Sequence, residues 1–96
     1  MFYLGLDIGS SSVKAALVNA KSGKSVLSIH EPKGEMDITS VKKDWAEQDP
    51  NIWWSHTCKA IKRVCKESNT NPNKIISIGI SYQMHGLVIV DKNGDP

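Results

Sequence analysis

The chain has 96 residues, 40% hydrophobic and 23% charged, a composition that fits one small folded domain with a modest core and excludes a disordered segment. A net charge of +2, with acidic residues interspersed among the basic ones, is too mild to imply nucleic acid or an anionic membrane surface as partner. The longest apolar runs are strand-sized, and the first residues show neither a basic leader nor a cleavage site, so no membrane span is expected and a cytoplasmic location is the default.

Phe2 to Ile8 is a nearly continuous apolar run, predicted as a strand buried on both faces, with Val13 to Asn19 as its partner across a turn at Gly9. Between them lies one carboxylate, Asp7, at the mouth of a tight Gly-Ser turn. Gly9 is free to take a positive φ, and Ser10, Ser11 and Ser12 are small enough for backbone N–H groups and hydroxyls to converge on an anion. Mg²⁺ carried by a nucleotide keeps several waters and needs only one or two protein carboxylates, so Asp7 alone suffices for a metal role. A plain hairpin with a solvated Asp is the competing reading of the same residues.

Lys21-Ser-Gly-Lys24 makes a second turn, and Ser25 to His30, with Val26 and Ile29 as its apolar positions, is a third and more exposed strand. Three consecutive strands make a meander. Glu31 to Glu47 is polar and broken by Pro32 and Gly34, a long connection rather than a domain linker. Asp49-Pro50 then predicts a helix start, with Asp as N-cap and Pro at the first position, where its missing N–H costs nothing. Trp54, Cys58, Ile61 and Cys65 follow at helical spacing, widened by Trp53, Ala60 and Val64, and the helix should end near Ser68. Lys59, Lys62, Arg63 and Lys66 fall mostly on the opposite, solvated side.

Cys58 and Cys65 would stand about 10.5 Å apart along that helix, too far for a disulfide. With no CxxC spacing and no His cluster to suggest zinc, they are expected as buried free thiols. Ile75 to Ile80 is another buried strand, and Leu87 to Asp91 begins a fifth that ends at an Asn93-Gly94 turn. The expected order is β-β-β-α-β-β, an α/β mixed sheet in one domain over 1–96.

An Asp at the end of the first strand followed by a Gly-Ser turn resembles the actin-like ATPase superfamily, built on an RNase H-like sheet. Leu6-Asp-Ile-Gly-Ser-Ser-Ser-Val-Lys14 is similar to the first phosphate motif of the FGGY carbohydrate kinases. Trp45-Ala-Glu-Gln-Asp-Pro50 followed by Trp53-Trp54 resembles the segment leading into that family's first helix. Ile80-Ser-Tyr-Gln-Met-His-Gly-Leu-Val88 is similar to the sugar-binding turn of its xylulokinase members. Tyr82 departs from the pattern, standing where the family has Gly or another small residue.

The resemblance spans essentially the whole chain but only the beginning of a much longer two-domain enzyme. It implies an N-terminal fragment of an ATP-dependent sugar kinase, a phosphotransferase with an alcohol group as acceptor, acting on D-xylulose before other sugars to give xylulose 5-phosphate. It implies ATP and Mg²⁺ as cofactors, with Asp7 at the metal and Gly9, Ser10, Ser11, Ser12 and Lys14 at the phosphates. It also implies Gln83, Met84, His85 and Gly86 at the pentulose. The catalytic base and the adenosine pocket would belong to later segments, so no catalytic residue is assigned and the chain alone should be inactive. An unpaired sheet edge would then favour a homo-oligomer.

The residue chemistry agrees with these roles. His85 offers a donor and an acceptor to sugar hydroxyls, and Met84 offers a soft apolar surface to a sugar C–H face. Trp45, Trp53 and Trp54 could each stack on a sugar ring, and Trp45 lies with Glu47 and Gln48 in the long connection, where specificity residues often lie; Glu47 and Gln48 read equally well as surface residues, and for Trp53 and Trp54 the core reading is the stronger. A gluconate, ribulose or polyol kinase is the alternative within the family. A non-enzymatic actin-like protein would share the phosphate turn but has no use for Gln83 to Gly86. An RNase H-like nuclease would need more carboxylates converging on two metals, and the helix offers only Glu67 at its far end.

Overall fold

Strand-forming residues alternate along the first third of the chain, and the backbone follows them. In the computed structural model, which describes residues 1–96, β1 (Phe2–Ile8), β2 (Val13–Asn19) and β3 (Ser25–Glu31) form an antiparallel meander. A long connection leads to α1 (Pro50–Glu67), a short 3₁₀ turn at Pro72–Lys74, and β4 (Ile75–Tyr82). The sheet order is β3-β2-β1-β4, with β4 parallel to β1, so β1 is a central strand and the sheet is mixed. No helix is long and apolar enough to cross a membrane.

Both ends of α1 are set locally. Asp49 accepts the Asn51 N–H at 2.9 Å and Pro50 opens the first turn. At the other end Asn69 adopts a left-handed φ of 55°, while the N–H groups of Asn69 and Thr70 return to the carbonyls of Lys66 and Cys65. That is a Schellman closure with Asn in the position that usually requires Gly.

One face of the sheet carries the core. Leu4 and Leu6 of β1, with Val13, Ala15 and Leu17 of β2, pack beneath Ala60, Val64 and Cys65 of α1. The opposite face holds Tyr3, Asp7 and Lys14, all exposed, so β1 is buried on one side only. Its apolar look came from Phe2, Leu4, Leu6 and Ile8 facing inward, with Gly5 between them adding no polar side chain. In β3 the inward residues are Leu27 and Ile29, and Val26 is 44% exposed.

The helix lies over β2 and β3 and leaves β4 bare, which corrects three expectations. The buried stripe of α1 runs through Thr57, Ala60, Val64 and Cys65, about one residue round the helix from the expected one, and Trp54 is left 69% exposed. β4 is not a buried strand: Ile78, Ile80 and Tyr82 pair with Leu4, Leu6 and Ile8 on the core face, yet no helix covers them. Leu87–Asp91 forms no strand, because it has no ladder partner and no packed face, with Leu87 86% and Ile89 78% exposed. The turn after it does form, with Gly94 at φ 83° donating to the Asp91 carbonyl. The radius of gyration is 15.3 Å, where a closed domain of this length would have about 12.5 Å.

Of the two cysteines, both free thiols, Cys65 is buried and Cys58 half-buried. Burial pushes the Cys65 thiol up from its ordinary value, which keeps it protonated and unreactive. Arg63 is not on a purely solvated face. Its guanidinium bonds Glu31 at the end of β3, Glu67 one turn on at 3.1 Å, and the His30 carbonyl at 3.2 Å.

Two stability measurements check this packing. Leu17→Ala should cost about 2–5 kcal/mol, the usual toll for emptying a closed core position. Ile80→Thr, equally apolar in the wild type but uncovered in this chain, should change stability by less than about 0.5 kcal/mol in the same denaturation series. The hydrogen bond from Arg63 holds the Glu31 carboxyl below its ordinary range. A depressed carboxyl contributes stability above its unfolded pKa, about 4.3 for Glu, and loses it as pH falls through the lower folded value. The acid limb of the stability curve should therefore be shallower in Glu31→Gln than in the wild type.

Candidate functional site

The turn between β1 and β2 is a four-residue loop, Gly9–Ser12, closed by the Gly9 N–H donating to the Ser12 carbonyl at 3.0 Å. Gly9 is needed for close approach rather than for positive φ, which occurs at Gly23 and Gly94 instead. A Cβ on Gly9 would stand 3.2 Å from the Ser12 carbonyl oxygen, tighter than side chains normally tolerate. Two more loop carbonyls are also held: Ser11 accepts the Met36 N–H at 2.8 Å, and Ser10 accepts the side-chain amide of Gln48. The N–H groups of Ser10, Ser11 and Ser12 have no protein acceptor. Amides left unpaired while their carbonyls are tied back form an anion-receptive concavity.

Asp7 sits at the end of β1 on the open face, and its Oδ1 accepts the Ser81 hydroxyl of β4 at 3.0 Å. Lys14 is its cross-strand neighbour on the same face, in register but not ion-paired with it. No group of three or more His, Cys, Asp or Glu side chains gathers anywhere in the chain. The donor set therefore cannot cage a bare cation. It does fit a hydrated Mg²⁺ brought by a polyphosphate, since one carboxylate with a free oxygen is all that such an ion asks of the protein.

Parallel pairing brings the second turn to the same end of the sheet. The Gln83 N–H donates to the Ile8 carbonyl at 3.1 Å, so the chain leaves β4 beside the Gly9 turn. A cleft of about 670 Å³ results, lined among others by Ser10, Gln48, Trp53, Gln83, His85 and Gly86. Met84 is 82% exposed and lies outside this lining. Tyr82, where a small residue was expected, is 73% exposed and still pairs with Ile8, so the strand accommodates it without distortion. Trp45 is 51% exposed, with the Lys42 ammonium 4.8 Å from its ring centre, and does not line the cleft.

One residue of the site went unread in the sequence, and the role of another was not foreseen. Ser81, which orients Asp7, is signalled only by the Ser77, Gly79, Ser81 alternation along β4, the mark of a strand with one polar face. Gln48 proves to be a tie and not a surface residue: its side chain bonds the Ser10 carbonyl and accepts the Trp53 indole N–H at 3.1 Å. Trp53 is accordingly half-buried at the cleft wall rather than in the core.

The profile described as FGGY family of carbohydrate kinases, N-terminal domain, matches residues 2–96. The xylulose kinase of Staphylococcus epidermidis is 37% identical over 93 residues, which are 97% of this chain and 18% of that protein. The xylulose kinase of Escherichia coli K12 is 34% identical over 93% of this chain and 17% of its own length. Among solved structures, a xyloylose kinase from Brucella ovis superposes with a TM-score of 0.86 at 35% identity, over 98% of this chain and 19% of that one. A gluconate kinase from Lactobacillus acidophilus reaches 0.83 at 24% identity and so shares the fold. This chain thus spans less than a fifth of the length of these relatives, and the expected fold class, the start of an actin-like ATPase domain, holds.

The close approach at Gly9 is directly testable. Gly9→Ala should displace the amide resonances of residues 9–12 and lower stability by roughly 1 kcal/mol, as overpacking does. Unchanged spectra would mean that the loop has room the structure denies it.

Proposed function

The chain belongs to the FGGY family of carbohydrate kinases, and from that premise we propose that these residues form the N-terminal part of an enzyme phosphorylating a pentulose, D-xylulose before other sugars. The observation that carries the proposal is the cleft placing Ser10 of the first turn beside Gln83, His85 and Gly86 of the second. Phosphoryl transfer needs little covalent chemistry from the protein; it needs donor, acceptor and charge-stabilising groups brought in line. Two turns meeting at one sheet end supply that alignment from a single rigid element.

In this reading the phosphates of ATP lie over Gly9 to Ser12, receiving the three unpaired N–H groups and the serine hydroxyls, with Lys14 adding positive charge. Asp7 would hold Mg²⁺ through the carboxylate oxygen that Ser81 leaves free. When bound, the ion would spread the charge that develops on the transferred phosphate. Gln83 and His85 would bond the sugar hydroxyls. Met84 reaches a sugar C–H face only if the turn reorients, because it lies outside the cleft here. The base that accepts the hydroxyl proton and the pocket for adenosine are assigned to segments outside these 96 residues, so the chain alone is expected to be inactive.

Three outcomes follow for the full-length protein. Against a panel of pentuloses, gluconate and glycerol with ATP, ADP release should be fastest with D-xylulose; turnover of gluconate or glycerol with no pentulose activity would refute the assignment. Asp7→Asn should lower kcat by at least about a hundredfold, near 2.7 kcal/mol, while sugar affinity persists. His85→Ala should weaken pentulose binding by about 1–3 kcal/mol in a calorimetric titration and leave nucleotide binding intact.

A further inference from the structure

Gln48 occupies a place that only a carboxamide can fill. Its Nε2 donates to the carbonyl of Ser10 and, at 3.5 Å, approaches that of Asp37, while its Oε1 accepts the Trp53 indole N–H at 3.1 Å. The orientation of the amide is determined by its partners, since two carbonyls require the NH₂ end and an indole N–H requires the oxygen. One side chain therefore ties together the Gly9–Ser12 loop, the long connection and the first turn of α1, from residues 38, 11 and 5 positions apart.

The consequence lies in the peptide it holds. A trans peptide is planar, with its C=O and the following N–H pointing in opposite directions. Fixing the Ser10 carbonyl thus fixes the direction of the Ser11 N–H, which has no protein acceptor. The neighbouring peptide is fixed in the same way, because the Met36 N–H holds the Ser11 carbonyl and so aims the Ser12 N–H. The Met36 contact is main chain to main chain and insensitive to sequence. The Ser10 contact depends on one side chain.

The geometry points to Gln48 as a positioning residue for phosphate transfer: both ends of its amide are taken up by protein groups, and it acts by holding the Ser10–Ser11 peptide so that the Ser11 amide faces the anion. This rests on the proposed kinase reading. Because Gln48 and Trp53 also line the cleft beside His85, a shift of the tie displaces the phosphate loop relative to the sugar turn. Misplacement of that kind, remote from the reacting atoms, costs up to about a hundredfold in rate.

Gln48→Glu is the discriminating variant. It keeps the size and the acceptor for Trp53 but turns a donor towards two carbonyls into a carboxylate that repels them. In the full-length enzyme, kcat should fall roughly 10- to 100-fold at pH 8 with the sugar KM within about twofold of wild type. Protonation of the introduced carboxyl restores an O–H donor, so the ratio of variant to wild-type kcat should rise as pH is lowered towards 5. A merely structural side chain would not produce that pH-dependent recovery. Trp53→Phe, which removes only the indole N–H that orients the amide, should lower kcat several-fold and serves if Gln48→Glu does not fold. A wild-type kcat in the variants, a pH-independent ratio, or a raised sugar KM with kcat intact would overturn the inference. A wild type that phosphorylates no sugar would instead overturn the kinase reading on which it rests.

Discussion

The register between β1 and β4 is the constraint on which the rest depends. Asp7 stands opposite Ser81, Ile8 opposite Tyr82, and one further hydrogen bond carries the ladder to Gln83. Parallel strands end at the same edge of a sheet, so whatever follows each strand is delivered to one place. Here that is the Gly9 turn after β1 and the Gln83–Gly86 turn after β4, which lie 74 residues apart at the Asp7–Ser81 contact. A slip of one residue would turn Ser81 to the core face and leave Asp7 facing an isoleucine or a tyrosine.

Three elements hold the register in place. The antiparallel hairpin of β1 with β2 gives the central strand a second ladder, and the inward row of Leu4, Leu6, Val13, Ala15 and Leu17 gives it a reason to present one face. The helix α1 closes that row, and its terminal caps determine where the chain turns back to begin β4. Arg63 joins α1 to the end of β3 through Glu31, so helix and sheet are linked by charge as well as by burial. The core is small, nine hydrophobic residues buried in the whole chain, and it lies entirely on the β2 side of β4. The site end of the sheet is consequently organised by hydrogen bonds, those of Gln48, Met36 and Ser81, more than by packing.

What was legible in the sequence was what depends on near neighbours. Asp49-Pro50 marks a helix start whatever lies around it, and Asn93-Gly94 marks a turn even where the strand before it does not form. β1 and β2 were legible because seven residues each form a mostly apolar run across a loop too short to do anything but return, although the run alone did not show that β1 is buried on one face only. The place of Asp7 at the strand end and of Gly9–Ser12 in the tight turn after it was legible in the same way. What depends on distant partners was not legible. Trp54 and Cys58 match the helical period as well as Thr57 and Val64 do, and only the sheet's position decides which stripe is covered. Ile78 and Ile80 have the composition of core, and their exposure follows from where α1 sits. Gln48 is an ordinary polar residue until its partners 38 and five positions away are known.

In the proposed enzyme the two turns form the phosphate side and the sugar side of one transfer site. Amide hydrogen exchange on the full-length protein tests it most directly, with a non-hydrolysable ATP analogue alone, with D-xylulose alone, and with both. The nucleotide should slow exchange at residues 9–12, the sugar should slow it at 83–86, and the two together should slow the cleft-lining segment around Gln48 and Trp53 beyond either alone. Protection by the nucleotide that leaves residues 9–12 untouched, or by the sugar that leaves 83–86 untouched, would contradict it.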